Sequence, residues 1–226
     1  MTDPTDFYQD MKQKGYLTEV RRFVPGYDEM VNLVASKVIE ISPFQAVDLG
    51  MGVGNIAELI LCASADTYLT GIEQSEAMAR FAQKKLEPFP NRSKIQIQNL
   101  QEGLNERKYS VAYSNLVLHN IDQNEKINLL TEIKRSLLPK GQFIWGDLVS
   151  FPFGMHNPIV AYRHLNAWIQ GADAGFVKED LYKELFEDSK LSVRETIKLC
   201  RTVGFKDPRV IWKNTAGTTA VFQMSV

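Results

Sequence analysis

The stretch FQAVDLGMGVGN, at residues 44–55, carries the strongest structural signal in the chain. Its pattern predicts a short buried strand, a turn with glycine at every second position, and the first turn of a helix that runs to about Ser64. Alternating glycines allow positive φ angles and bring the backbone close to a ligand that a Cβ atom would exclude. The free N–H groups at the start of the helix favour an anionic group. The stretch therefore predicts a ligand-binding turn.

A second strand, predicted over residues 67–72, ends in Glu73, 23 residues after Gly50. An acidic residue at this distance can accept hydrogen bonds from both hydroxyls of a ribose. The dinucleotide fingerprint G-x-G-x-x-G would need glycine at position 55, where this chain has Asn55. The alternative, a glycine-rich turn that serves only as a tight connection, is disfavoured by the spacing of Glu73.

This pattern resembles the first motif of class I S-adenosylmethionine (SAM) methyltransferases. The resemblance implies that Asp48 helps to position the aminoacyl end of SAM and that Glu73 holds the ribose. It also implies that the backbone of three glycines contacts the methionyl part, namely Gly50, Gly52 and Gly54.

The resemblance implies further cofactor contacts at Gln74 and at the ends of the third and fourth strands, at Asn99, Leu100 and Asn115. Family members frequently carry an acidic residue after the third strand that binds the adenine amino group. This chain offers Asn99 or Gln101 there, whose side-chain carbonyls can accept the same bond at lower strength.

Two later motifs extend the resemblance. The segments LVLHNID (116–122) and LLPKGQFIWGDLV (137–149) are similar to the fourth-strand and fifth-strand motifs of small class I methyltransferases. The predicted elements are a strand over 109–117, a helix over 123–138 and a strand over 142–149. The segment RTVGFKDPRVIWKNTAGTTAVFQM (201–224) resembles the family's closing helix and antiparallel strand pair, with strands over 209–212 and 219–226.

These patterns together predict an α/β fold with a doubly wound, seven-stranded, mostly parallel sheet and an antiparallel C-terminal strand. We expect one SAM-binding domain over residues 1–226. It includes an N-terminal helical arm (1–41) and a helical lid insertion after the fifth strand (150–190). In the family such arms often close over the cofactor; an amphipathic cap on the sheet is the alternative. Aromatic residues of the lid either wall a substrate pocket or form the lid's own small core.

Candidate catalytic and substrate residues follow from these placements. His119, at the carboxyl end of the fourth strand, is the best candidate for a general base, because imidazole titrates near neutral pH. A packing role beside SAM is the alternative for His119. The candidate substrate contacts are Tyr16, Asn120, Phe151, His156, Tyr162 and Trp168.

We predict no metal site. His156 and His164 are eight residues apart, but Pro158 interrupts the helix that would place them on one face. Asp147 could bind a divalent ion, as in catechol-type enzymes, yet partner carboxylates are not evident in the sequence.

Composition restricts the partners and the location. The formal net charge of −1 creates no field that would attract nucleic acid or an anionic membrane. Cys62 and Cys200 lie in apolar helical patterns, which predicts buried, reduced thiols and a cytoplasmic protein. The acidic N-terminus does not resemble a signal peptide, and no apolar run of about 18 residues predicts a membrane span. The sequence leaves open whether the protein forms a homodimer.

The leading hypothesis is a SAM-dependent methyltransferase that modifies N or O of a small aromatic or apolar metabolite by in-line displacement. One alternative is a tRNA-modification enzyme of the carboxy-SAM synthase type, which RRFVPGYDEM (21–30) loosely resembles. Such an enzyme needs a cation near the extra carboxylate of its product. The candidates are Arg21, Arg22, Arg163 and Arg194. A SAM-binding protein without turnover is the second alternative.

Overall fold

A computed structural model describes residues 16–104, 108–150, 158–172, 174–182 and 189–226. The strands within this part are β1 (Gln45–Leu49), β2 (Tyr68–Glu73), β3 (Ser93–Ile97), β4 (Tyr109–Asn115), β5 (Leu137–Leu148), β6 (Lys206–Lys213) and β7 (Thr219–Ser225). The helices are α1 (Tyr16–Phe23), α2 (Tyr27–Ile41), α3 (Asn55–Ala63), α4 (Glu76–Leu86), α5 (Gln123–Ser136), α6 (Pro158–Ile169), α7 (Ala174–Tyr182) and α8 (Val193–Val203). Single turns of 3₁₀ helix follow β3 (Leu100–Glu102) and β4 (Leu118–Asn120).

The strands form a seven-stranded sheet in the order β3-β2-β1-β4-β5-β7-β6. Strands β1 to β5 pair in parallel, and β7 runs antiparallel to both β5 and β6. This architecture confirms the predicted fold class. The strand order reverses between β1 and β4, and doubly wound sheets bind their ligands in the crevice at such a point.

Both faces of the sheet are covered because successive strand residues alternate between them. On one face Ala46 packs with residues of α2, α3 and α4, including Met30 and Ile60. On the other face Val47 packs with residues of α5 and α8, including Leu130 and Cys200. The two layers hold the carboxyl ends of the central strands in fixed positions.

Several element boundaries differ from those predicted. Strand β5 begins at Leu137, which pairs with Tyr109, so it starts before the predicted residue 142, with Lys140 at a φ of 66° inside the strand. Strand β6 extends over Lys206–Lys213, beyond the predicted 209–212. Residues 16–23 form α1 within the predicted helical arm, and residues 1–15 of that arm lie outside the described part of the chain.

The arm formed by α1 and α2 is attached to the sheet through the β6–β7 turn. The backbone carbonyl of Pro25 accepts hydrogen bonds from Asn214 Nδ2 and Thr219 Oγ1, both at 3.1 Å. Gly26 follows with a φ of 79°, and a Cβ atom there would lie 2.8 Å from the ring of Trp212. The arm is therefore fixed beside the start of β7, at the carboxyl edge of the parallel strands.

The cysteines differ in exposure. Cys200 is buried, as predicted, and burial raises the pKa of its thiol to about 12, so the group is inert at neutral pH. Cys62 is exposed, so the prediction of two buried thiols was wrong for this residue. The apolar pattern of α3 misled the prediction because Cys62 lies near the helix end, on its outer side.

The described helices include none that is both long and apolar enough to cross a membrane. The same part of the chain contains no group of three or more His, Cys, Asp or Glu residues arranged to hold a metal ion.

Candidate functional site

The turn after β1 has the glycine geometry that the sequence predicted. Gly50, Gly52 and Gly54 have φ angles of 72°, 55° and 78°. The N–H groups of Gly50 and Met51 both donate to the carbonyl of Ile72, which ties the turn to the end of β2. A Cβ atom on Gly50 would lie 2.5 Å from a methyl group of Val117, so no side chain fits there.

Glu73 connects this turn to α4. Its Oε2 accepts a hydrogen bond from Gly52 N and its Oε1 accepts one from Ser75 N, both at 2.8 Å. Burial raises the pKa of the Glu73 carboxyl, against the opposing effect of its backbone N–H partners. A carboxylate offers about four acceptor positions, so two remain for the hydroxyls of a ribose. The next predicted cofactor contact, Gln74, is exposed beside it.

Asp48 is 3% exposed and lies opposite Tyr113 in the pairing of β1 with β4. Burial raises the pKa of the Asp48 carboxyl to about 8; the phenol of Tyr113 lowers it and the charge of Glu73 raises it further. The Tyr113 hydroxyl faces Asp48 without completing a hydrogen bond of normal geometry. Because an isolated buried carboxylate is costly, an ammonium group placed here would stabilise the ionised form.

The carboxyl end of β4 contributes a second polar group. Asn115 Oδ1 is buried and has no hydrogen-bond partner. A Cβ atom on Gly146 of β5 would lie 2.5 Å from this oxygen, so the glycine makes room for it. The next residue, Leu116, has a φ of 59°, which is unusual for a residue with a branched side chain. A bare acceptor beside a strained backbone is typical of a ligand site.

Tyr27, at the start of α2, was not among the predicted site residues. Asn55 Nδ2 donates to its hydroxyl oxygen at 3.2 Å, and Lys85 Nζ donates to Asn55 Oδ1. Burial raises the pKa of the Tyr27 phenol. Together with Asp48 and Asn115, Tyr27 and Asn55 line a cavity of ≈ 40 Å³ above the glycine turn. The signal in the sequence was Asn55 itself, a polar residue where dinucleotide-binding folds have glycine.

The predicted adenine contacts follow β3. Leu100 is buried, and Asn99 is exposed. Asn99 Oδ1 accepts a hydrogen bond from Gln101 N at 2.9 Å, and Glu102 completes a capping box with the backbone of Asn99. The side-chain oxygen of Asn99 therefore caps the start of the 3₁₀ turn and has one further lone pair that can accept a hydrogen bond from a ligand.

His119 forms a pair with Asp147 across the ends of β4 and β5. Its Nδ1 lies 2.5 Å from Asp147 Oδ1. Three further donors reach the same carboxylate: the backbone N–H of His119 at 3.1 Å, the backbone N–H of Leu148 at 2.9 Å and Nε1 of Trp145 at 2.7 Å. Sequence reasoning considered Asp147 only as a metal ligand. The register of β5 after Trp145 was the signal that it would face His119.

The return of the lid to the sheet passes close to this pair. The N–H of Ser189 donates to the carbonyl of His119 at 2.7 Å, and Nζ of the buried Lys126 donates to the carbonyl of Ser189. Ser150 then pairs with Ser192 in an isolated parallel bridge. The backbone of His119 is therefore held from both sides.

The candidate substrate residues are only partly described. Asn120 is exposed, and its Nδ2 donates to the carbonyl of Val117 at 3.3 Å. Trp168 lies on the outer side of α6 with 55% of its surface exposed. Phe151 and His156 lie outside the described residues, as do the side chains of Tyr16 and Tyr162, whose backbones belong to α1 and α6.

Residues 47–145 match the family described as a methyltransferase domain. The matched segment begins in β1 and ends in β5, so it contains the glycine turn, Glu73, Asn115 and His119. Fold, site and match point to one class: the chain is similar to class I SAM-dependent methyltransferases, and SAM is the cofactor of that class.

The chain is similar to two curated proteins. An uncharacterized methyltransferase of Geobacillus sp. (strain WCH70) is 29% identical over 141 residues, which are 61% of this chain and 61% of that protein. The carboxy-S-adenosyl-L-methionine synthase of Helicobacter pylori (strain Shi470) is 28% identical over 206 residues, which are 86% of this chain and 84% of that protein.

Among solved structures, an O-methyltransferase family protein of Burkholderia thailandensis has the same fold, with a TM-score of 0.72 and 13% identity. The comparison covers 97% of this chain and 61% of that one. The chain thus spans about three fifths of the length of this protein and of the Geobacillus relative.

Proposed function

We propose that this protein is an enzyme that transfers the methyl group of SAM to a hydroxyl oxygen, or to a nitrogen, of a small aromatic or apolar molecule. The His119–Asp147 pair supports the proposal most directly. It lies at the carboxyl ends of β4 and β5, beside the point where the strand order reverses, and it has the chemistry needed to remove a proton.

The residues around the glycine turn fit SAM. The turn has no Cβ atoms at its three glycines, Asn115 Oδ1 is a bare buried acceptor, and Asp48 is a buried acid without a cation. We expect Asp48 and Tyr27 to hold the amino-acid end, Glu73 to hold the ribose, and Leu100 with Asn99 to face the adenine. SAM, when bound, supplies an electrophilic methyl group on a sulfonium.

The contacts of Asp147 determine which ring nitrogen of His119 carries the proton. Four donors converge on the two carboxylate oxygens, so Asp147 acts as an acceptor and Nδ1 of His119 carries the proton. In a neutral imidazole the lone pair is then on Nε2, which can accept the proton of an acceptor hydroxyl. The fixed backbone of His119 keeps that nitrogen in place while donor and acceptor are held about 3–3.5 Å apart.

SAM binding, measured by calorimetry, and methyl transfer from labelled SAM to a panel of phenols test this function. We expect His119→Ala to bind SAM as the wild type does and to lower kcat roughly 100-fold or more, since general-base catalysis contributes that much. Glu132→Gln, a change at a partly exposed ion pair with Arg135 on α5, is the control. Absence of SAM binding, or an unchanged kcat in His119→Ala, would contradict the proposal.

Formation of carboxy-SAM is a second candidate, favoured by the similarity to the Helicobacter pylori synthase over 86% of this chain. Two of the cations suggested for it are already paired: Arg21 Nε lies 2.9 Å from Asp28, and an Arg22 nitrogen lies 2.6 Å from Glu19. Arg194 is exposed on α8, and the side chain of Arg163 lies outside the described part.

Mass spectrometry of the adenosyl compound that co-purifies with the protein distinguishes the two functions. A donor heavier than SAM by one carboxyl group would support the synthase, and SAM or S-adenosylhomocysteine would support the methyltransferase. Salt-sensitive tRNA binding would favour an RNA substrate. A small-molecule substrate, a cytoplasmic location and a homodimer stay predictions.

A further inference from the structure

The arm contains a buried carboxylate that is only half satisfied. Glu19 of α1 is 5% exposed, and its Oε1 accepts a hydrogen bond from an Arg22 nitrogen at 2.6 Å. Its other oxygen, Oε2, is buried and has no hydrogen-bond partner among the described residues. Buried polar atoms in native proteins are nearly always paired, so an unpaired carboxylate oxygen in a largely apolar layer requires an explanation.

The surroundings of Glu19 belong to both the arm and the lid. Its neighbours on the buried side of α1 are Val20 and Phe23, which are part of the same apolar cluster as Ala167 of α6. The ring of Phe23 lies 5.8 Å from that of the buried His164, also on α6. Glu19 is one helical turn before Phe23, so its carboxylate enters the layer where arm and lid pack together.

This layer lies over the edge of the sheet that carries the proposed base. The carbonyl of Pro25, two residues after α1, accepts a hydrogen bond from Thr219 Oγ1. Thr219 pairs with Leu148, the residue after Asp147. Glu19 is four residues, or about 6 Å along the helix, before the end of α1 at Phe23. The arm therefore places Glu19 on the side of the molecule where a substrate that meets His119 would bind.

We infer that Glu19 is a specificity-determining residue whose Oε2 accepts a hydrogen bond from a neutral donor, such as a hydroxyl or an amide N–H, on the substrate. The inference rests on the proposed methyl transfer. The Glu19–Arg22 pair has no net charge, so a cationic ligand would leave an uncompensated buried charge, whereas a neutral donor would not. The substrate then has two polar groups: one that receives the methyl group and a second that Glu19 recognises.

The arm offers a matched control. Arg21 and Asp28 form the same kind of pair at 2.9 Å, but their side chains are 49% and 55% exposed. Asp28→Asn removes a carboxylate from the solvent-exposed ion pair of the arm. Glu19→Leu removes a carboxylate from the buried layer, so the two variants differ in the burial of the group that is lost. Glu19→Gln keeps an oxygen that can accept a hydrogen bond.

The substrate test uses three probes that differ at one position: 4-ethylphenol, 4-(2-hydroxyethyl)phenol and 4-(2-aminoethyl)phenol. We expect the wild type to methylate the hydroxyethyl compound with a kcat/KM about tenfold above the ethyl compound, the effect of one good hydrogen bond. The aminoethyl compound should gain no such advantage. Glu19→Leu should abolish the preference, whereas Glu19→Gln and Asp28→Asn should keep most of it.

A preference that survives in Glu19→Leu, or a wild type without preference among methylated probes, would overturn the inference. A preference for the aminoethyl compound would overturn the neutral-donor assignment. If the wild type binds SAM but methylates none of the probes, the result counts against the proposed function, and thermal unfolding of the apoprotein decides the role of Glu19. A Tm of Glu19→Leu at or above that of Asp28→Asn supports a ligand-directed carboxylate; a Tm several degrees lower overturns it by showing a structural ion pair.

Discussion

At the residue scale, one carboxylate connects the two parts of the cofactor site. Glu73 binds the N–H groups of Gly52 and Ser75, one on each oxygen, and thereby fixes the glycine turn relative to α4. The same oxygens face the position expected for the ribose. We therefore expect Glu73 to contribute both to the shape of the proposed site and to the affinity for SAM.

Glu73→Ala should weaken SAM binding by about 1–3 kcal/mol, since it removes charge-assisted acceptors and leaves Gly52 N unpaired. Calorimetric titration with SAM measures the change. Glu76→Ala, which alters an exposed acid in the first turn of α4, should bind SAM as the wild type does. An equal loss in both variants would show that the effect is not specific to the Glu73 contacts.

Asp147→Asn should lower kcat on the order of 100-fold, because an amide group turned toward Nδ1 no longer fixes the tautomer of His119. SAM affinity should stay unchanged, since we place Asp147 where the molecule that receives the methyl group binds, away from the residues expected to hold SAM. In a His119→Ala background the Asp147→Asn change should have no further effect on kcat. Additive losses in the double variant would show that Asp147 does not act through His119.

At the element scale, the side chain of Asn214 in the last hairpin helps to attach the arm. Asn214 Nδ2 donates to the carbonyl of Pro25, while its Oδ1 accepts from Thr218 N and Thr219 N. Asn214→Asp keeps the two acceptor contacts inside the hairpin and removes the donor to the arm. Nδ2 also donates to Thr218 Oγ1 at 2.9 Å, and in the variant that hydroxyl can donate to the carboxylate instead. The variant therefore weakens arm attachment more than it weakens the hairpin.

In Asn214→Asp we expect faster hydrogen exchange for the amides of α1 and unchanged protection in β7, measured by mass spectrometry. SAM should dissociate faster, because Tyr27 at the start of α2 is part of the wall of the cofactor cavity. Equal loss of protection in α1 and β7 would indicate unfolding of the hairpin instead.

The elements also show what the sequence can predict. Glu73 ends β2, Asp48 is the penultimate residue of β1, and His119 lies in the 3₁₀ turn after β4. The apolar patterns of these strands are local, so the positions of all three residues at one edge of the sheet followed from the strand pattern alone. Tyr27 was missed because its partner Asn55 is 28 residues away and the contact depends on how the arm packs. The contact between Asp147 and His119 was missed for a similar reason: His119 is 28 residues away, in the 3₁₀ turn after another strand.

At the scale of the whole molecule, Asp48 couples stability to pH. Its pKa is raised from 3.8 to about 8 because the carboxyl is buried. A raised pKa means that the fold prefers the neutral acid, so this contribution is fully present below about pH 4 and is lost as pH rises to about 8. Each pKa unit corresponds to about 1.4 kcal/mol, so the total effect is several kcal/mol.

The free energy of unfolding of the apoprotein should therefore fall between pH 5 and pH 8, as measured by urea titration. Asp48→Asn should reduce that slope, and the part that remains reflects Glu73, whose pKa is also raised by burial. Saturating SAM should counteract the loss at pH 8, because its ammonium group stabilises the ionised carboxylate. A slope unchanged by Asp48→Asn would assign the pH dependence to other groups.

The attachment of the arm also bears on synthesis at the ribosome. The carbonyl of Pro25 is bonded to residues 189 and 194 positions later in the chain. Strands β1 to β4 can pair before those residues emerge, because domains form progressively as the chain is made. Pro25 can be held in its final place only after the last hairpin exists, so in a nascent chain the cavity wall formed by Tyr27 would be the last part of the proposed site to be secured.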